Sequence, residues 1–149
     1  MRRIAFSLVA VVALAGVVTY MVPHVDTPMA GSTPGAPLRE TVTVAADKPI
    51  PNLPGKRLVS HIVDYPPGAS SAPHRHGSAF VYAYVLSGAV RSQVDDEPVR
   101  VYRPGETWFE NPGSYHRVSE NASDTEPARL LAVLIADAAD EQLVIPDPQ

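Results

Sequence analysis

Three histidines are spaced so that they could grip one metal ion. His74 and His76 stand two apart in Pro73-His74-Arg75-His76. In an extended chain, residues two apart leave the backbone on the same face, so both imidazoles can converge on one point. His116 follows forty positions after His76, behind the tight-turn signal Asn111-Pro112-Gly113, with Val118 at strand spacing after it. Three neutral imidazoles suit Fe, Mn, Co, Ni, Cu or Zn. Another histidine, His61, lies on the apolar run before the pair. It is a candidate hydrogen-bond donor or proton shuttle if it points inward, and core or surface filling if it does not. An H-x-H triplet is a weak signal by itself, because exposed strands often carry paired polar residues.

Composition narrows the rest of the chemistry. The chain has 149 residues, 45% hydrophobic and 19% charged, enough for one small domain and an appendage. It has no cysteine, which removes disulfides, thiolate metal sites and cysteine nucleophiles. The net charge is -4, and the only charges before Val22 are Arg2 and Arg3, so a domain without them carries -6 (-4 minus 2). No basic run offsets that charge, and nucleic-acid binding is not expected.

The positioning elements follow from the pattern along the chain. Met1-Arg2-Arg3 and the uncharged run Ile4 to Val22 have the positive start and apolar stretch of an export signal. Ala13-Leu14-Ala15 offers a cleavage site but would leave a short signal; uncleaved, residues 4–22 form an apolar helix that anchors the chain in the inner membrane. In both cases the domain is expected to be periplasmic or extracellular. Residues 23–37, rich in Pro, Gly, Ser and Thr, read as a flexible linker in which His24 is solvated.

Residues 38–149 read as one all-β domain. Leu38–Val44, Leu58–Tyr65, Phe80–Leu86, Val90–Val94, Val99–Tyr102, Thr107–Glu110, Tyr115–Ser119 and Leu130–Ile135 are short apolar or alternating runs punctuated by Gly and Pro. Such a series describes a barrel or sandwich, and the sixteen prolines exclude a helical domain. The acidic tail after Asp137 is expected to form a short helical turn or a strand pairing with another subunit.

Two segments resemble the two motifs of the cupin family. In the first, Gly68, His74-Arg75-His76 and Gly88 fall at the family's spacing; in the second, Gly105, Pro112-Gly113, His116 and Asn121 do so with about one residue of slack. The resemblance implies a double-stranded β-helix, or jelly-roll barrel, with a divalent transition metal on His74, His76 and His116, and frequently a homodimer. One departure matters. The family's first motif usually carries a glutamate ligand where this chain has Val81, and no acidic residue lies between His76 and Gly88.

A three-histidine site would leave a divalent ion its full charge and favour an anionic, oxygen-chelating ligand. Three-histidine cupins include Fe(II) dioxygenases of diketones and thiols, so the resemblance implies an oxygenase-type enzyme on a small substrate, with iron as its metal. A non-catalytic binding or sensing domain is the alternative. Strand alternation points Val81, Ala83 and Val85 inward and Tyr82 and Tyr84 outward, which predicts an apolar cavity with few polar groups. Trp108 and Phe109 are expected in the core. Glu110 could replace the missing carboxylate, but the metal-facing side of its hairpin is already set by His116, so it is read as lying outside the site. Tyr115 should face away from the metal, and Arg75 outward toward an acidic residue or a dimer surface. Asn121-Ala122-Ser123 has the form of a glycosylation acceptor, but the triplet occurs by chance too often to count.

Overall fold

The structure, a computed structural model, describes residues 38–147; the expected leader and linker, residues 1–37, lie outside them. The described residues form ten strands: β1 (Thr41–Pro49), β2 (Lys56–Tyr65), β3 (His74–Arg75), β4 (Phe80–Ser87), β5 (Val90–Val94), β6 (Arg100–Tyr102), β7 (Thr107–Glu110), β8 (Tyr115–Asn121), β9 (Ala128–Asp137) and β10 (Ile145–Pro146). They make two five-stranded sheets, ordered β1-β2-β9-β4-β7 and β10-β3-β8-β5-β6. Every recorded strand pairing is antiparallel. This is the double-stranded β-helix expected from the sequence.

Alternation does most of the building. Along β4, Val81, Ala83 and Val85 are buried while Tyr82 and Tyr84 are only partly so, and β9 buries every second residue from Ala128 to Ala136. The buried side chains form two apolar clusters. One gathers Tyr65, Val85, Val90, Tyr102 and Trp108; the other gathers Val59, Val81, Leu134 and Leu143. Both clusters contribute to the wall of the cavity described below.

Two turns are held by their backbones. Gly88 has φ of 71°, and a Cβ there would meet the carbonyl oxygen of Pro127 and lie 2.7 Å from Ala128 Cα, so only glycine fits. Asn121, at the end of β8, uses its buried amide as a staple. Nδ2 reaches the carbonyls of Tyr65, Pro66 and Glu126 at 3.3, 3.0 and 2.8 Å, and Oδ1 accepts from the Ser123 amide at 2.9 Å. An amide so committed is no sugar acceptor.

Most strand ends differ from expectation by no more than two residues; the first strand and the tail differ by more. The first strand runs from Thr41 to Pro49 instead of Leu38 to Val44; a bulge between Val44 and Ala46 breaks its alternation and most of it is exposed. The tail neither turns into a helix nor needs a second subunit to pair. Its Ile145 and Pro146 pair with Arg75 and His74 of the same chain. Among the described residues no helix is long and apolar enough to cross a membrane.

Candidate metal centre

The second sheet delivers the histidines. His74 on β3 lies directly across from His116 on β8, and His76 follows one residue beyond the end of β3. All three are buried, and one ligand atom from each lies within 4.8 Å of the other two. The turn between β7 and β8 is tied to the first motif: the Gly113 amide donates to the Gly77 carbonyl at 2.8 Å, and Arg75 Nη1 donates to the Gly113 carbonyl at 2.7 Å.

Hydrogen bonding fixes which nitrogens are free. His74 Nδ1 donates to the Ala72 carbonyl at 2.7 Å and His76 Nδ1 to the Leu143 carbonyl at 2.6 Å. A carbonyl only accepts, so each Nδ1 carries the proton and each neutral ring is left with a bare Nε2. Those two nitrogens face each other at 3.2 Å. Burial keeps the rings neutral: it lowers His74, brings His76 to about 4 and, with the fields of its neighbours, His116 to about 3. Two lone pairs at that distance repel unless a cation lies between them. The donor set therefore fits a divalent transition metal.

The first sheet contributes a carboxyl group, which corrects the reading of Glu110. Its side chain points into the site at 2% exposure. Oε1 lies 3.2 Å from His116 Nδ1 and accepts from Trp108 Nε1 at 3.2 Å; Oε2 lies 3.7 Å from His76 Nε2. Burial pushes this carboxyl up to about 7 while it holds the imidazoles neutral, so these contacts are not ordinary ion pairs. The expectation failed because β7 and β8 are not a hairpin within one sheet. Asn111-Pro112-Gly113 carries the chain from one sheet to the other, and the orientation of His116 says nothing about Glu110. Trp108 was the available signal. A lone tryptophan belongs inside, and Glu110 shares its face of the strand.

A cavity of about 60 Å³ opens beside these groups. Val81, Ala83, Leu130 and Ala132 supply the apolar wall, as alternation predicts for the first two; Val85 sits deeper, in the core. Val42, Val63 and Val144 extend that apolar wall, so the cavity is mainly apolar as expected, but it carries more polar groups than the few predicted, and these come from β2, β8 and the segments leading into β1 and β3. Tyr65 Oη sits 2.9 Å from Ser71 Oγ and 2.8 Å from Ser119 Oγ, and all three residues line the cavity with Glu40. Glu40 escaped the sequence reading, and one of its oxygens is buried without a partner. His61 is buried, has its pKa lowered by desolvation, and lines both this cavity and a more open one beside Asp47, Arg57 and Glu141.

The remaining candidates are settled by position. Trp108 is buried against Tyr102, their rings 4.7 Å apart. Phe109, expected in the core, is 58% exposed and stacks on Phe80 at 5.8 Å across the outer face. Tyr115 faces outward between Arg75 and Arg117. Arg75 Nε approaches Asp147 at 3.9 Å, an acidic partner within the chain.

Residues 61–134 match the family model described as "Cupin domain". The chain belongs to the cupin superfamily. Solved cupin folds resemble it over most of the described domain. A double-stranded β-helix protein from Klebsiella pneumoniae is 19% identical, with a TM-score of 0.54 over 78% of this chain and 90% of that one. A Cupin 2 conserved barrel domain protein from Salinispora arenicola is 25% identical, with a TM-score of 0.52 over 67% and 77%. An oxalate oxidase in complex with glycolate is 23% identical, with a TM-score of 0.53 over 69% and 54%. No curated protein matches the sequence.

Proposed function

We propose that this cupin is exported, holds one divalent transition metal on His74, His76 and His116, and presents it to a small oxygen-chelating molecule. The observation that carries the reading is the pair of bare Nε2 atoms at 3.2 Å, each ring turned by a backbone carbonyl behind it. A bound ion would supply Lewis-acid polarisation of a chelated oxygen and, as iron, redox chemistry on oxygen. The protein supplies the rest. The Ser71–Tyr65–Ser119 hydroxyls orient an oxygen of the ligand, and Val81 and Ala83 exclude water from one side. His61, neutral and shared by the two cavities, carries protons between site and solvent. Glycolate, held by the oxalate oxidase of like fold, is an anion of the size and class that a 60 Å³ cavity admits.

Export rests on the positive start and uncharged run of residues 1–22, which serve as signal or inner-membrane anchor. Homodimer formation rests on the exposed Phe109 stack on the outer face, an apolar surface suited to a second copy.

The test is metal content after purification without chelators, followed by oxygen uptake with small 2-hydroxy acids, diketones and thiols. Near-stoichiometric iron, lost in His116→Ala, with oxygen uptake on one of these classes, is the expected result for an oxygenase. Stoichiometric metal with saturable ligand binding and no turnover would assign the alternative, a binding or sensing domain. Full metal occupancy in His116→Ala would overturn the site.

A further inference from the structure

We propose that Glu110 is the carboxylate ligand of this centre, moved across a strand pair from the slot that Val81 occupies. The inference rests on the three-histidine reading above and completes it. Val81 and Glu110 are directly opposed in the β4–β7 register. Directly opposed residues of an antiparallel pair have Cβ atoms about 5 Å apart and share a face of the sheet. A carboxylate from position 110 thus enters the space that one from position 81 would enter. Valine at 81 leaves that space open and offers no donor.

The surroundings of Glu110 fit a ligand better than a structural acid. Oε2 is buried and has no hydrogen-bond partner. An orphaned buried acceptor costs about 1–3 kcal/mol, which a coordinated cation would offset. Its recorded ion-pairing neighbours are two of the proposed metal ligands, His76 and His116; no lysine or arginine reaches it. Oε1 is steadied by Trp108 Nε1, as ligating carboxylates commonly are by an outer hydrogen bond. A side chain needed only to accept from Trp108 would use one oxygen and no charge. Here the second oxygen is aimed at the histidines.

The assignment changes the charge of the site. Three neutral imidazoles and one carboxylate leave a divalent ion with a net charge of +1. The open positions then suit a monoanion, instead of the dianion that a bare three-histidine site would favour.

The experiment is a Co²⁺ titration of the metal-stripped full chain, followed by ligand-field absorption, for wild type, Glu110→Gln, Glu110→Asp and His116→Ala. Circular dichroism checks that each variant is folded. Removal of a carboxylate ligand is expected to weaken Co²⁺ binding about 10–100-fold and to alter the spectrum, with Glu110→Asp recovering part of the affinity because it keeps the charge. Wild-type affinity and spectrum in Glu110→Gln, with His116→Ala impaired, would overturn the role of Glu110 and leave the three-histidine site standing. Equal loss in Gln and Asp variants with an unchanged spectrum would assign Glu110 a structural role and overturn the proposal. Unimpaired binding in His116→Ala would overturn the three-histidine site itself.

Discussion

Glu110→Gln should stabilise the metal-free protein, and by an amount that depends on pH. Gln copies the shape of the protonated carboxyl and cannot ionise. In the folded chain burial holds Glu110 at about 7 against an ordinary value of 4.5. Below pH 4.5 the folded and unfolded chains both carry the proton, and the burial costs nothing in charge. As pH rises through 4.5 the unfolded chain releases its proton first, and folding grows less favourable until the folded chain follows near pH 7. At about 1.4 kcal/mol per tenfold difference in proton affinity, the full penalty is about 3 kcal/mol. Weighting by protonation at each pH, the variant should be ahead by about 3 kcal/mol at pH 8 and by less than about 1 kcal/mol at pH 5. The buried histidines add their own pH dependence, but both proteins share it. Urea unfolding in the presence of a chelator measures the difference, with Trp108, the single tryptophan and a donor to Glu110, as the fluorescent reporter. With a slope of about 2 kcal/mol/M, the midpoints should separate by about 1.5 M urea at pH 8. Saturating Co²⁺ should narrow the gap at pH 8 by about 1.4–2.7 kcal/mol, the equivalent of a 10–100-fold tighter hold on the folded wild type. A gap that is the same at both pH values, or absent at pH 8, would refute the argument that Glu110 is a buried acid awaiting a cation.

Other outcomes follow from particular contacts. Exchanging the two opposed side chains, Val81→Glu with Glu110→Val, should keep Co²⁺ affinity within about tenfold of wild type by titration, because the carboxylate re-enters from the neighbouring strand. Gly88→Ala should cost at least about 2 kcal/mol in urea unfolding, from a positive φ and a Cβ driven against Pro127 and Ala128. Asn121→Ala should cost about 2–4 kcal/mol, since three carbonyls and one amide lose their buried partner. Phe109→Glu should convert the proposed dimer to a monomer in sedimentation velocity without changing metal content, because its ring lies on the outer face.

Much of this molecule could be read from residue order alone, and the gaps have physical causes. The all-β class follows from local information, alternation along strands with glycines and prolines at turns, while the double-stranded β-helix and the grouping of His74, His76 and His116 follow from the resemblance of the two motifs to the cupin family. The direction of the Glu110 carboxyl depends on which sheet β7 joins, which is set at long range; the one local pointer is Trp108, on the same face of the strand. The polar groups in the cavity lining escape that reading for a related reason: period two along β4 describes one wall, while Tyr65, Ser71 and Ser119 arrive from other elements. The limits of β1 were misjudged where a bulge and solvent exposure erase the alternation. The partner of the tail was hidden because a two-residue strand has no period to detect, and its pairing with β3 spans about half the chain.

The contact between His76 Nδ1 and the Leu143 carbonyl sets an order of events. A chain made or threaded across a membrane from its N-terminal end delivers all three histidines and Glu110 before it delivers Leu143. Until that carbonyl is seated, His76 can turn either nitrogen inward and the ligand set is not preorganised. Metal should therefore be acquired after the barrel has closed, in whatever compartment receives the finished chain. The ion is then chosen by what that compartment supplies, and only secondarily by what three imidazoles and a carboxylate prefer.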